Sequence, residues 1–109
     1  MAKTFLQVAT EAMAEVSSVT PQAAQDRLRQ DPNVLLIDIR DLADRRTTGM
    51  AAGATAVSAG MLPIRADLEL PEEWRDTRLQ DRSRSIITIC DLGQGWKDAR
   101  LPIRPSDDR

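Results

Sequence analysis

The sequence predicts an α/β domain, a parallel sheet flanked by helices, and three observations carry that prediction. Val34-Leu35-Leu36-Ile37 and Ile86-Ile87-Thr88-Ile89 are continuous apolar, partly β-branched runs, the pattern of strands buried on both faces of a parallel sheet. Helical periodicity precedes the first run, and polar segments punctuated by glycine and proline separate it from the second. The second run delivers the chain's only cysteine, Cys90, to a turn. In open α/β sheets the carboxyl ends of strands are where loops and helix N-termini converge, so a thiol placed there is a candidate nucleophile.

The elements follow in order. Phe5, Val8, Ala9, Ala12, Met13 and Val16 recur at three- and four-residue spacing and form one apolar stripe, which predicts a first helix that packs by that stripe. Thr20-Pro21 supplies a hydroxyl N-cap and a proline at the first helical position, and Ala24 and Leu28 mark the inner face of a second helix ending near Gln30. Asp31-Pro32-Asn33 stops it. The first strand runs into Asp38-Ile39-Arg40, whose two ionisable side chains share one side because strand side chains alternate; they pair with each other or reach into a cleft. Residues 41–48 form a short polar helix, a brief strand lies near Thr55-Ala56-Val57, and Met61 to Ile64 add a helical turn. Residues 66–84 are charged and interrupted by Pro71, with Trp74 as the expected anchor of a long loop.

Composition excludes several functions. The 109 residues suffice for one domain, and mixed charges with a formal net of -2 provide no basic face for nucleic acid. One cysteine forms no internal disulfide, and the absence of histidine removes zinc sets and Cys-His or Ser-His pairs, so no metal or cofactor is expected. Activation of the thiol falls to backbone dipoles or to Arg and Lys. The N-terminus begins like a targeting segment, but Glu11 and Glu15 interrupt it and no membrane-length apolar run follows; the expectation is a cytoplasmic protein without a membrane partner.

With these pieces in order, the chain resembles the rhodanese-like domain family. Val19-Thr20-Pro21 to Leu28 matches the family's opening, and Leu35-Leu36-Ile37-Asp38-Ile39-Arg40 matches its strand ending in Asp-x-Arg. Gly49-Met50-Ala51-Ala52-Gly53-Ala54 matches its Gly-x-x-x-Gly-Ala turn, and Cys90 with Gly93 matches its Cys-x-x-Gly loop. The resemblance covers residues 19–95 and implies sulfur transfer. Cys90 is then the nucleophile that takes a sulfane sulfur from a small donor such as thiosulfate, holds it as a persulfide, and passes it to a thiol or cyanide. Asp91, Leu92, Gly93, Gln94 and Gly95 are the implied substrate-binding loop, whose N–H groups stabilise thiolate and persulfide without histidine. Asp38 and Arg40 are supporting residues, an ion pair that fastens strand end to loop.

The departures matter equally. Gly95 stands where the family often has arginine, Trp96 where a small hydroxyl residue is common, and Met50 in place of the turn's histidine. Phosphatase or arsenate reductase chemistry on the related fold needs an arginine six places after the cysteine, and that place is Trp96. After Gly95 the family's helix-strand-helix is missing, which points to a truncated or frameshifted sequence. The expected organisation is an amphipathic helix over residues 1–18, an incomplete rhodanese-like domain over 19–95, and a disordered polar tail over 96–109. The alternatives to a sulfurtransferase are a non-catalytic rhodanese-like binding module and a degraded fragment, marginal in stability or self-associating through exposed apolar sheet surface.

Overall fold

The computed structural model describes residues 2–90 and 100–105. Helix α1 spans Phe5–Glu15 and opens with a full capping box, in which Thr4 and Gln7 each bond the other's backbone N–H. Helix α2, Pro21–Gln30, starts on the hydroxyl of Thr20, which accepts from the N–H of Ala23, and ends with Arg27 and Arg29 in its last turn. Both starts are where threonine, and in α2 proline, placed them.

Strand β1, Leu35–Asp38, is the centre of a three-stranded parallel sheet ordered β3-β1-β4, with β3 at Thr55–Ala56 and β4 at Ile86–Ile89. Leu35 to Asp38 pair one-to-one with Ile86 to Ile89, while Ile37 and Asp38 pair with Thr55 and Ala56. Every residue of β1 is buried, as its unbroken apolar run requires. Strand β4 has a similar composition but a different fate. Only β1 pairs with it among the described residues, so Ile86 and Thr88 are exposed and Ile87 and Ile89 half-buried. The expectation of burial on both faces is corrected here: composition sets apolarity, whereas position in the sheet sets cover.

Two apolar layers sandwich the sheet. Leu36 faces Ala24 of α2 together with Met50, Ala51 and Ala54, and Ile87, Ile89 and Leu101 pack against that group. On the second face, Leu35 and Ile37 meet Val57 and Leu79, with Leu62 and Ala66 of helix α4 (Leu62–Ala66) beside them. Helix α3, Leu42–Thr48, carries the connection out of β1 and buries the side chain of Arg45.

Three sequence expectations change. The α1 stripe does not pack: no residue of α1 is buried, because periodicity identifies an apolar face without supplying its partner. The segment 66–84 is ordered rather than one long loop. It carries two 3-10 turns, Glu72–Trp74 and Thr77–Leu79, and Asp67, Asp76 and Asp81 each accept the N–H two residues on. Its anchor is buried Leu79, while Trp74 is exposed. Finally, the tail expected to be disordered folds back at residues 100–105. Strand β5, Ile103–Arg104, pairs antiparallel with strand β2, Met50–Ala51; Pro102 accepts the N–H of Ala52, and Arg104 donates to the carbonyl of Ala54 at 2.6 Å. Backbone pairing, together with the packing of Leu101 on the core, holds this segment.

Candidate functional site

The carboxyl ends of β1 and β4 lie side by side. Their register persists past the strands, since the N–H of Ile39 donates to the carbonyl of Ile89 at 2.9 Å, one residue before Cys90. Strand β3 closes the other flank: Val57 donates to Asp38 at 3.1 Å and Ala59 to Ile39 at 3.0 Å. In open α/β sheets ligands bind outside this edge, beyond the carboxyl ends of the strands. Cys90 sits at that edge as a free, exposed thiol.

Asp38 and Arg40 form an ion pair at the end of the neighbouring strand β1. The Asp38 carboxylate is fully buried and accepts from the Arg40 backbone N–H at 3.0 Å, from Nε at 3.1 and 3.2 Å through its two oxygens, and from Nη2 at 2.8 Å. The rest of the guanidinium is also committed: Nη1 donates to Thr48 Oγ1 at 2.8 Å and Nη2 to the carbonyl of Gly49 at 2.9 Å. A charge buried this deeply persists only when its partner satisfies both oxygens, and a planar fork does so where an ammonium does not. The ion pair therefore clamps the end of β1 to the end of α3.

Thr48 and Gly49 were not singled out as partners of the clamp in the sequence. The signal available was the Thr-Gly end of α3. Gly49 caps that helix at φ 75° and ψ -173°, a combination that side-chain-bearing residues avoid, and its N–H returns to the carbonyl of Arg45 at 2.8 Å. A Cβ there would lie 2.8 Å from Ile103 Cγ2 and 2.9 Å from the carbonyl oxygen of Arg104. One glycine thus serves the helix cap, the clamp and the approach of β5. Beside it, Arg46, Thr47 and Thr48 face Ile103, Arg104 and Pro105 across an open depression of about 540 Å³.

Of the sequence-predicted residues, the structure pairs Asp38 with Arg40 at the end of β1 and places Cys90 at the end of the adjoining strand. Asp91, Leu92, Gly93, Gln94 and Gly95 lie outside the described residues, as does Trp96. Among the described residues no cluster of acidic or thiol side chains could hold a metal ion, and no helix is long and apolar enough to cross a membrane.

A parallel sheet with helices on both faces, an Asp-x-Arg clamp after its central strand and a cysteine after the neighbouring strand define the class to which this chain is comparable. The model of the rhodanese-like domain matches residues 20–104, and the chain belongs to that family. The match runs through β5, beyond the residue-95 limit drawn from the motifs alone. Among solved structures, a protein of unknown function and possible tyrosine phosphatase from Rhodopseudomonas palustris CGA009 has the same fold, with a TM-score of 0.78 and 20% identity over 95% of this chain and 96% of that one. None of the curated proteins matches the chain.

Proposed function

We propose that the chain is a rhodanese-like sulfurtransferase that carries sulfane sulfur on Cys90. The observation that supports this most directly is the free, exposed thiol at the carboxyl end of β4, beside a strand end held rigid by Asp38 and Arg40, in a chain of this family. The Cys90 thiolate attacks the outer sulfur of thiosulfate. The donor's S–S bond breaks, sulfite leaves with the bonding electrons, and the enzyme holds Cys–S–S⁻. An acceptor thiolate or cyanide then attacks the outer sulfur and returns Cys90 to a thiolate. Asp91 to Gly95 follow the cysteine directly and are the proposed source of N–H donors for both anions.

Intact mass after incubation with thiosulfate tests the reading: one sulfur atom is gained by the native chain, is lost on adding cyanide, and is absent from Cys90→Ser. No gain from thiosulfate or from a persulfide donor, in a folded sample, rejects it.

A second reading, a rhodanese-like module that binds without transferring sulfur, is favoured by Gly95 standing where the family often carries the arginine that holds an anionic donor. Cys90→Ser would then leave partner binding intact. The phosphatase activity suggested for the structural neighbour is not carried over, because Trp96 occupies the position that chemistry reserves for arginine.

A further inference from the structure

The segment that follows β3 combines the chain's excess negative charge with exposed apolar side chains. Met61 is 38% exposed, Ile64 37%, Leu68 47% and Trp74 51%. Met61 and Ile64 stand three residues apart at the start of α4 and share one side of it, while Leu62 and Ala66 turn to the core. Two contacts return the backbone of Trp74 to this helix. Arg65 Nη1 donates to the Trp74 carbonyl at 2.8 Å, and the N–H of Asp76 donates to the Arg65 carbonyl at 2.9 Å. Leu68 lies in the turn between them, closed by the N–H of Leu70 on the carbonyl of Asp67. Asp67, Glu69, Glu72 and Glu73 alternate with these side chains along the segment, and all four are exposed. With Arg65 as the one cation, residues 61–74 carry a net charge of -3 against -2 for the whole chain, so the remainder is net +1.

We propose that residues 61–74 are a docking surface for a basic protein segment anchored by apolar side chains, and that the protein carrying it is the acceptor to which Cys90 delivers sulfur. The chemistry of the surface selects this occupant. An exposed tryptophan in a turn already ordered by hydrogen bonds anchors a protein contact with little further loss of entropy. The carboxylates attract lysine and arginine and repel nucleic acid and anionic lipid. The position suits an acceptor. Ala59 donates to Ile39 and Ile39 to Ile89, so the chain enters α4 from the edge that carries Cys90, two strand spacings or about 10 Å away. The chain beyond Cys90 arrives elsewhere: Leu101 packs on the first face and β5 pairs with Met50 there, whereas α4 lies on the second. The acceptor role rests on the sulfurtransferase reading, and the docking surface does not. In that role the partner's thiolate attacks the outer sulfur of the Cys90 persulfide. The S–S bond breaks with its electrons going to Cys90, which leaves as a thiolate, and the partner departs as a persulfide anion.

Two peptides with a central cysteine test it, one of alternating arginine and leucine, the other with glutamate in place of arginine. Titration calorimetry on the Cys90→Ser chain reads docking alone. The arginine peptide is expected to bind about tenfold more tightly than the glutamate peptide, and Trp74→Ala or the pair Glu72→Gln with Glu73→Gln to cost about tenfold. The pair Glu11→Gln with Glu15→Gln makes the same change of charge on α1 and is expected to leave binding as it was. All these side chains are exposed, so circular dichroism should report the native fold in each variant. Equal binding of the two peptides, indifference to Trp74→Ala or to the Glu72 and Glu73 pair, or an equal loss from the Glu11 and Glu15 pair overturns the docking surface. On the native chain loaded from thiosulfate, the arginine peptide is expected to remove the persulfide sulfur about tenfold faster than the glutamate peptide, and Trp74→Ala to erase that difference. Equal rates on the native chain overturn the acceptor role. A chain that loads no sulfur overturns the sulfurtransferase reading and the acceptor role with it, while the calorimetry still decides the docking surface.

Discussion

Replacing Gly49 by alanine tests the junction on which the candidate site rests. Gly49 has φ 75° and ψ -173°, a region occupied almost only by glycine, and forcing a side-chain-bearing residue there costs about 1–3 kcal/mol. Space is also lacking. The new Cβ would meet Ile103 Cγ2 at 2.8 Å and the Arg104 carbonyl oxygen at 2.9 Å, and a backbone oxygen yields only if β5 moves off β2. Movement of Gly49 itself would pull its carbonyl from Arg40 Nη2. Together these make Gly49→Ala destabilising by about 2–4 kcal/mol, or roughly 10–25 °C in Tm for a domain of this size. Gly53→Ala is the internal control: φ is 84°, but nothing lies within 4 Å of the added Cβ, so it keeps the backbone strain and loses the collision. Urea unfolding followed by circular dichroism, at protein concentrations where the native chain is monomeric, measures both. Equal losses for the two variants, within about 0.5 kcal/mol, would refute the close approach of β5 to the end of α3.

Three further outcomes are expected. Arg40→Ala should cost about 3–5 kcal/mol, because it strands the buried Asp38 carboxylate, and Arg40→Lys should recover only part of this since an ammonium cannot reach Asp38, Thr48 and Gly49 together; urea midpoints decide. Leu36→Ala should cost about 2–5 kcal/mol by opening a cavity under α2, measured in the same way. The hydrogen bonds from Arg78 hold the Asp76 carboxyl below its ordinary value, so its contribution is complete above that value and is lost as pH falls through the native one. Asp76→Asn should therefore flatten the fall in stability as pH drops below the ordinary carboxylate value of 3.8, and unchanged acid sensitivity would contradict the pairing.

The legible parts of this fold are those set by local chemistry. The spacing of Phe5 to Val16 announces the first helix, Thr20 with Pro21 the start of the second, the apolar run at Leu35 the central strand, and Asp38 with Arg40 at alternate positions a pair on one side of it. What was not legible depends on neighbours distant in sequence. The edge position of β4 among the described residues is a property of strand order, which an apolar run does not encode. Strands β2 and β5 have two residues each, too few to show a period, and their pairing joins Met50 to Arg104 across 54 positions. Arg45 reads as one more charge in a polar helix, yet its side chain is buried. Periodicity marked the α1 stripe and could not say that none of its residues would be buried. Of the candidate site, the cysteine and the clamp were visible as residues, whereas the hold of Thr48 and Gly49 on Arg40 is a product of folding.

The pairing of β5 with β2, with that of β4 with β1, fixes both ends of the chain that follows the thiol. Residues 91–99 are the stretch of chain between two moored ends: Cys90 follows a strand locked to β1, and Leu101 to Arg104 are tied to the core, to Ala52 and to Ala54. Closing a stretch between fixed ends becomes harder only with the logarithm of its length, and doubling the length adds about 0.6 kcal/mol. The β2–β5 pairing therefore sets where the chain that follows the thiol must arrive, so Met50 and Ala51, far before Cys90 in sequence, govern the span available to it.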